Sequence, residues 1–314
     1  MGRQRKRKGV PVHGWLAVDK PLDITSTQVV GLLKRLYNAQ KAGHGGTLDP
    51  LADGILPIAF GEATKTAQWA MDCDKEYVFT VEWGTSTASQ DKEGEVIARS
   101  EVRPTRDEIE AALPAFIGDI QQVPPKYSAI KVDGARAYDL ARDGERFEIP
   151  SREVTVYEAE LVGIMDADHA TFRVVSGKGF YVRAMARDLA ALLGAEGHVS
   201  QLRRTRVGPL DEAASITLAE LEALVEDKPA LLDKLRPLQA ILDDVPQIEI
   251  DLSDANALKQ GREIVLLPHL VEQWRAQTNE DPDDRLAIAV CEQTAIALGE
   301  VRAGRFQPKK VFQI

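Results

Sequence analysis

Asp49 stands in the run Lys41-Ala-Gly-His-Gly-Gly-Thr-Leu-Asp-Pro-Leu-Ala-Asp-Gly54, with glycines at 43, 45, 46 and 54, His44 before it and Pro50 directly after. Glycine lets a backbone approach a ligand closely or take positive φ, at an entropic cost that a loop kept only for stability avoids. Pro50 biases Asp49 away from helix and toward an extended or turn conformation. A carboxylate held on a stiff, glycine-rich loop is what a reaction centre needs. A tight turn between core elements would account for a lone Gly-Gly-Thr. Four glycines, a histidine and a proline-fixed aspartate within one short run favour a site.

Other chemistries find less support. Cys73 and Cys291 lie far apart with no CxxC pair and no histidine beside either, against a disulfide framework and a structural zinc site. The histidines at 13, 44, 169, 198 and 269 are scattered, so no metal and no cofactor is expected; His169 and His198 read as surface or strand-end residues.

The elements that must position Asp49 are legible around it. Gly14–Lys20 reads as a strand followed by a turn at Pro21 and Asp23. Asp23, Thr25 or Ser26 caps a helix with Val29, Val30, Leu33 and Leu36 on one face. That helix delivers the chain into the glycine-rich loop. Ile55–Phe60 is a short apolar strand, and Glu62–Met71 a helix. Tyr77, Phe79, Val81 and Trp83 alternate with Val78, Thr80 and Glu82, a half-buried strand that on residues alone makes Tyr77 a core residue. Residues 105–116 form an amphipathic helix, and Asp133-Gly134 is a tight-turn signal. Strands over Glu153–Ile164 and Ala170–Val175 flank a turn at Asp166–Asp168. Tyr181–Leu193 is a helix with Tyr181 and Arg183 at its start, and Val199–Val207 a strand containing Leu202. Strands and helices without regular βαβ alternation favour an α+β fold around an antiparallel or mixed sheet. A boundary near 240–246 leaves a tail with enough short strands for one small module, whose acidic run 280–284 reads as an exposed loop.

At 314 residues the chain suits one large domain and a small one, and no apolar run approaches the roughly 18 residues of a membrane span. The basic N-terminus is not followed by a signal-peptide core, so a cytoplasmic protein is expected. The net charge of −10 conceals an uneven distribution. Arg3, Arg5, Lys6, Arg7 and Lys8 form a basic arm. Between Arg173 and Gly208, Arg173, Lys178, Arg183, Arg187, Arg203, Arg204 and Arg206 face only Asp188 and Glu196. An acidic protein can still present one basic face to phosphates, and that face is expected here; solvated helix and strand positions are the equal alternative.

The Gly43–Gly54 loop, the Tyr77 strand, Tyr127-Ser-Ala-Ile-Lys-Val-Asp-Gly134 and Gly179-Phe-Tyr-Val-Arg183 together resemble the TruB family of pseudouridine synthases over roughly residues 12–210. Asp19-Lys-Pro21, Gly61-Glu-Ala-Thr-Lys65, Ser176–Gly179 and Leu202-Arg-Arg204 match as well. One run departs: the family's Thr-x-Thr-x-Asp is Thr87-Ala-Ser89-Gln-Asp91, which keeps a hydroxyl.

The resemblance implies a pseudouridine synthase fold: a central sheet flanked by helices and loops with a catalytic cleft, plus a small β-rich C-terminal module. It divides the chain into an arm (1–11), a catalytic unit (12–245) with an RNA-gripping insertion at about 126–152, and a PUA-like RNA-binding module (246–314). It implies isomerisation of a uridine at position 55, in the T-arm loop of tRNA, by a monomer without cofactor, metal or membrane. Asp49 is then the nucleophile, attacking C1′ or the uracil ring. A carboxylate that must attack stays ionised, and an adjacent cation favours that form; Arg183 is the matching residue. Tyr77 would stack on the base and assist proton removal. Leu202 would pack on the other face of the uracil, where core packing is the reading on residues alone. The target is extruded before attack; His44 would occupy the space it leaves, and Tyr181 would lie beside it. Lys20, Gly43 and Lys131 are further substrate-binding candidates, and Arg136 and Arg142 lie in the gripping insertion. Because every catalytic candidate precedes 210, loss of the tail is expected to weaken RNA binding more than turnover. The competing readings are an RNA-binding or RNA-folding protein without catalysis, a sister synthase for other RNA, and a phosphotransferase; the last lacks a Walker motif and a kinase-type glycine loop.

Overall fold

The computed structural model describes residues 9–128, 130–132, 135–137, 140, 147–278 and 285–314. The basic arm Arg3–Lys8, the Asp133-Gly134 turn, Arg142 and the acidic run 280–284 lie outside the described residues.

Among the described residues, ten strands form the main sheet. Its order runs Ile216–Thr217, Gly14–Lys20, Ala52–Phe60, Gly197–Val207, Lys75–Trp83, His169–Ser176, Arg152–Ile164, Gly118–Gln122. Ala42–His44 pairs with Ala52–Phe60, and Leu210–Asp211 with Gly197–Val207. The sheet is mixed. Gly197–Val207 lies parallel to Ala52–Phe60 and antiparallel to Lys75–Trp83, so it carries residues from both halves of the sheet to one place. The fold is α+β, with a β-rich C-terminal part.

Local chemistry sets the elements. Helix Ser26–Leu36 begins at Thr25, whose hydroxyl accepts the Gln28 N–H while Gln28 answers the Thr25 N–H, a capping box. Its buried Val29 and Leu33 face the sheet, and Lys34 and Arg35 sit in its last turn, where the helix dipole favours cations. The segment expected as one helix over Glu62–Met71 is a 3₁₀ turn, Gly61–Thr66, running into Ala67–Asp72. The segment 105–116 divides likewise at Leu113-Pro114, where proline has no N–H for a continuing α-helix.

The tail forms a second, five-stranded sheet from Gln247–Glu249, Leu286–Cys291, Thr294–Arg302, Arg305–Val311 and Ile264–Val265. Helices Leu252–Lys259 and Pro268–Gln277 were not expected from sequence; both are short and weakly amphipathic. The tail is not a detached unit. Ile288, Val290, Leu298 and Phe312 join Trp15, Ala17, Ile55 and Ala59 of the main sheet in one hydrophobic cluster. Lys65 donates to the Val311 carbonyl at 2.7 Å and Lys310 to the Lys65 carbonyl at 2.7 Å.

That shared cluster alters the expectation for the tail. Removing residues 246–314 uncovers main-sheet core, so folding suffers as well as binding. Phe312, fully buried in the cluster, tests this without truncation. Phe312→Ala should cost about 3–5 kcal/mol, the usual range for a buried aromatic, read as a lowered denaturation midpoint of the whole protein.

Candidate active site

The loop bearing Asp49 is held from three sides. Ser26, first residue of its helix, donates to the Leu48 carbonyl at 3.0 Å and accepts the Leu48 N–H at 2.9 Å. Lys20 donates to the carbonyls of Pro21 at 2.8 Å, Ile24 at 2.9 Å and Pro50 at 3.4 Å. Arg204 donates to Ile55 at 2.7 Å, Thr47 at 3.2 Å and Gly46 at 3.3 Å. A buried charge must be met by dipoles or counter-charges, and here backbone carbonyls on both sides of Asp49 supply them. Gly54 is fixed by the same packing: its φ is +99°, and a Cβ would lie 2.2 Å from the Arg204 carbonyl oxygen.

Asp49 projects from this frame to Arg183. Arg183 Nη2 lies 2.7 Å from Asp49 Oδ2, with the Arg183 side chain 8% exposed and that of Asp49 40%. The same guanidinium donates to Asp91 Oδ2 at 3.2 Å, to the Ser89 carbonyl at 3.0 Å and to the Tyr127 carbonyl at 2.9 Å. Arg183 occupies the first turn of helix Val182–Leu192, where the helix dipole disfavours a cation. Its partners explain the position. The sequence reading passed over Asp91 as a site residue, although it ends the Thr87–Asp91 run. Ser89, the departure in that run, donates its hydroxyl to Asp91 Oδ1.

A cleft of about 10 Å³ lies against Asp49, Asp91, Arg183, Ser200 and Leu202, room for one water. Leu202 is half-buried and packs against two core clusters, one of which also includes Tyr77. Leu202 pairs with Phe79 across the sheet and Tyr77 with Arg204, so Tyr77 stands one same-face position along the strand from Leu202's partner. Tyr181 caps the Arg183 helix. Its N–H donates to Gln122 Oε1 at 2.8 Å and its carbonyl accepts from Gln122 Nε2 at 3.1 Å. Burial pushes the Tyr181 phenol's pKa up, Arg152 opposes that, and Asp49 adds to it. Gln122, itself buried, carried no signal in the sequence.

His44 sits on Ala42–His44, half-buried, and burial followed by the nearby Arg204 charge lowers its pKa, which keeps the ring neutral at pH 7. Nothing within 4 Å occupies the Cβ direction of Gly43, so this part of the loop faces open space. Lys131 pairs through its backbone with Arg136 in a two-residue hairpin; their side chains fall outside what is described.

Two expectations need correction. Lys20, expected at the substrate, has no exposed surface, and its ammonium is held on loop carbonyls, a positioning role. The arginines of 173–208 do not form a free basic face. Arg173 is paired with Glu76, Glu158 and Glu160, and Arg203 with Asp19, Asp53 and Glu212. Arg187 pairs with Asp188 and Lys178 with Asp72, while Arg204 is buried. Carboxylates, most of them distant in sequence, thus meet five of the seven cations, Arg173, Lys178, Arg183, Arg187 and Arg203, while Arg206 donates to the Gly208 carbonyl at 3.5 Å. Among the described residues, no group of three or more His, Cys, Asp or Glu is arranged to hold a metal ion, and no helix is long and apolar enough to cross a membrane.

The model of the TruB family pseudouridylate synthase N-terminal domain matches residues 34–182, and that of the tRNA pseudouridylate synthase B C-terminal domain matches residues 183–243. A tRNA pseudouridine synthase B of Caulobacter vibrioides is 53% identical over 310 residues, covering 99% of both chains. The chain belongs to the TruB family of pseudouridylate synthases. Its similarity to the Rhizobium etli protein of the same name is 50% over 321 residues, covering 99% of this chain and 100% of that one. Among solved structures, one from a Cbf5-Nop10-Gar1 complex has a TM-score of 0.71 at 25% identity, covering 96% of this chain and 85% of the other.

The Lys20 clamp carries a pH signature. Burial lowers the Lys20 pKa to about 8, with Asp53 and Asp49 opposing. The ammonium is therefore charged below that pH and discharged above it, where its hold on three carbonyls weakens. Turnover at saturating RNA should decline as pH rises through about 8, and Lys20→Met should be slow at every pH and lack that limb. A parent profile flat up to pH 10 would remove the charge from the clamp.

Proposed function

We propose that this protein converts uridine to pseudouridine in tRNA, at position 55 in the T-arm loop, with Asp49 as nucleophile. Membership of the pseudouridylate synthase family supports the reaction class, and two near-full-length relatives named tRNA pseudouridine synthase B support the substrate class. The position within tRNA rests on the resemblance of the loop and strand motifs. The observation that carries the assignment to Asp49 is its pairing with the buried Arg183, at the mouth of a cleft walled by Leu202.

The reaction balances without an outside oxidant or reductant. The N1–C1′ bond breaks, the uracil turns, and a C5–C1′ bond forms; the hydrogen at C5 leaves as a proton and N1 takes one up. Asp49 can hold the fragment through that exchange by covalent attack at C1′ or on the ring. Arg183, fixed by Asp91 and two carbonyls, aims the carboxylate. In this reading Leu202 supplies an apolar face for the flipped base, and Tyr77 and Tyr181 are the aromatic groups that stack and assist removal of the C5 proton. His44, kept neutral, fills space left by the extruded nucleotide without adding charge.

Release of tritium from tRNA labelled at C5 of uridine measures the exchange. Asp49→Asn should abolish release while holding tRNA affinity within about tenfold, roughly 1.4 kcal/mol. Release near the parental rate would remove Asp49 from the mechanism. Tyr77→Phe keeps the ring and deletes the hydroxyl; a catalytic loss with little loss of affinity is expected, and unchanged turnover would leave Tyr77 a packing residue.

A further inference from the structure

A cavity of about 250 Å³ lies between the root of the Asp49 loop and the turn Gly61–Thr66, lined in part by His13, Gln40, Lys41, Glu62 and Lys65. Three features make it suited to an anion. Lys41 is exposed, and among the described residues no carboxylate pairs with it. His13 Nδ1 accepts the Glu62 backbone N–H at 3.0 Å, so the neutral ring carries its proton on Nε2 and keeps a donor to offer. Lys65 donates to Glu62 Oε2 at 2.6 Å and to the Val311 carbonyl at 2.7 Å, and an ammonium has a third N–H. Glu62 is the one acid in the lining, and Lys65 and the Gln313 N–H already meet it.

Geometry ties the cavity to the active site. The Lys41 carbonyl accepts the Gly61 N–H at 2.9 Å, joining the loop root to the turn. Lys41 is two residues from Gly43, and along an extended chain such residues project to the same face. Gly43 faces open space. From Lys41 to His44 is three extended residues, about 10 Å.

We infer that this cavity is a subsite for one backbone phosphate of the RNA. Lys41 is the cation that meets it, assisted by His13 Nε2 and Lys65. The inference rests on the proposed function, since it takes RNA as the substrate, and it names where that RNA is gripped. It also places an electrostatic contact at the junction between the catalytic loop and the C-terminal sheet, away from the 173–208 stretch in which most cations are already paired.

The test uses full-length protein and tRNA assembled with a neutral methylphosphonate at one backbone position at a time. Lys41→Ala should flatten the log–log salt dependence of tRNA binding by about one unit and weaken affinity about three- to tenfold at moderate salt. Arg203→Ala, which removes a cation already held by carboxylates, should leave the slope unchanged. At one phosphate position, the methylphosphonate should weaken parent binding by the same factor as Lys41→Ala and have no further effect on that variant. Thermal melting equal to the parent's excludes misfolding, and Lys41→Glu, which reverses the charge, should bind more weakly than Lys41→Ala. A parental salt slope in Lys41→Ala, or methylphosphonate effects that add to it at every position, would overturn the subsite. Parent protein that binds tRNA with this pattern yet releases no tritium from C5 would overturn the proposed reaction and leave the subsite standing.

Discussion

Two buried cations hold the backbone on which the chemistry depends. Lys20 and Arg204 come from strands flanking Ala52–Phe60 on opposite sides, and between them they bind carbonyls at 46, 47, 50 and 55. A glycine-rich loop has much conformational freedom to lose on folding, and hydrophobic contact cannot hold it, because glycines offer no side chains to bury. Charge–dipole contacts can. Asp49 is thereby fixed at the one end of the loop that meets Arg183, and the mixed sheet, the short helix at Ser26 and the parallel pairing of Gly197–Val207 with Ala52–Phe60 all serve to bring these groups together.

Much of the frame was legible in the sequence because it follows from local patterns. The strand alternation at Tyr77–Trp83, the capping residues before Val29 and the glycine density around Asp49 need no knowledge of distant partners. Residues whose role is set by long-range contact were not legible. Arg204 in Leu202-Arg-Arg204 looks like its neighbour Arg203, yet one is buried on carbonyls and the other sits among three carboxylates. Lys20 carries no local sign that it turns inward. Gln122 lies 59 residues from Tyr181 in the chain and meets it only in the folded protein. The tail helices Leu252–Lys259 and Pro268–Gln277 escaped for a different reason: they bury few side chains of their own and are held by the sheet they cover.

The charge distribution illustrates the same limit. Counting cations along 173–208 treats every charge as available, whereas folding assigns most of them to acids brought in from residues 19, 53, 72, 76 and 158. Among the described residues, Lys41 at the loop root is an exposed cation with no carboxylate paired to it. An acidic protein thus need not keep a broad positive face to engage a polyanion; it needs cations that its own carboxylates do not reach.

The narrowness of the cleft has a consequence for selectivity. The space beside Asp49 is narrow, about 10 Å³ against Asp91, Arg183 and Leu202, so seating a pyrimidine there under the proposed function calls for the walls to open. A free nucleoside has only its own ring and ribose with which to drive that opening. A folded RNA arm has a backbone to grip, and the free energy of gripping it can be coupled to opening. Under the proposed function, a narrow cleft favours uridines presented by a structured RNA over free uridine, because only the RNA brings a backbone whose binding can offset the cost of opening.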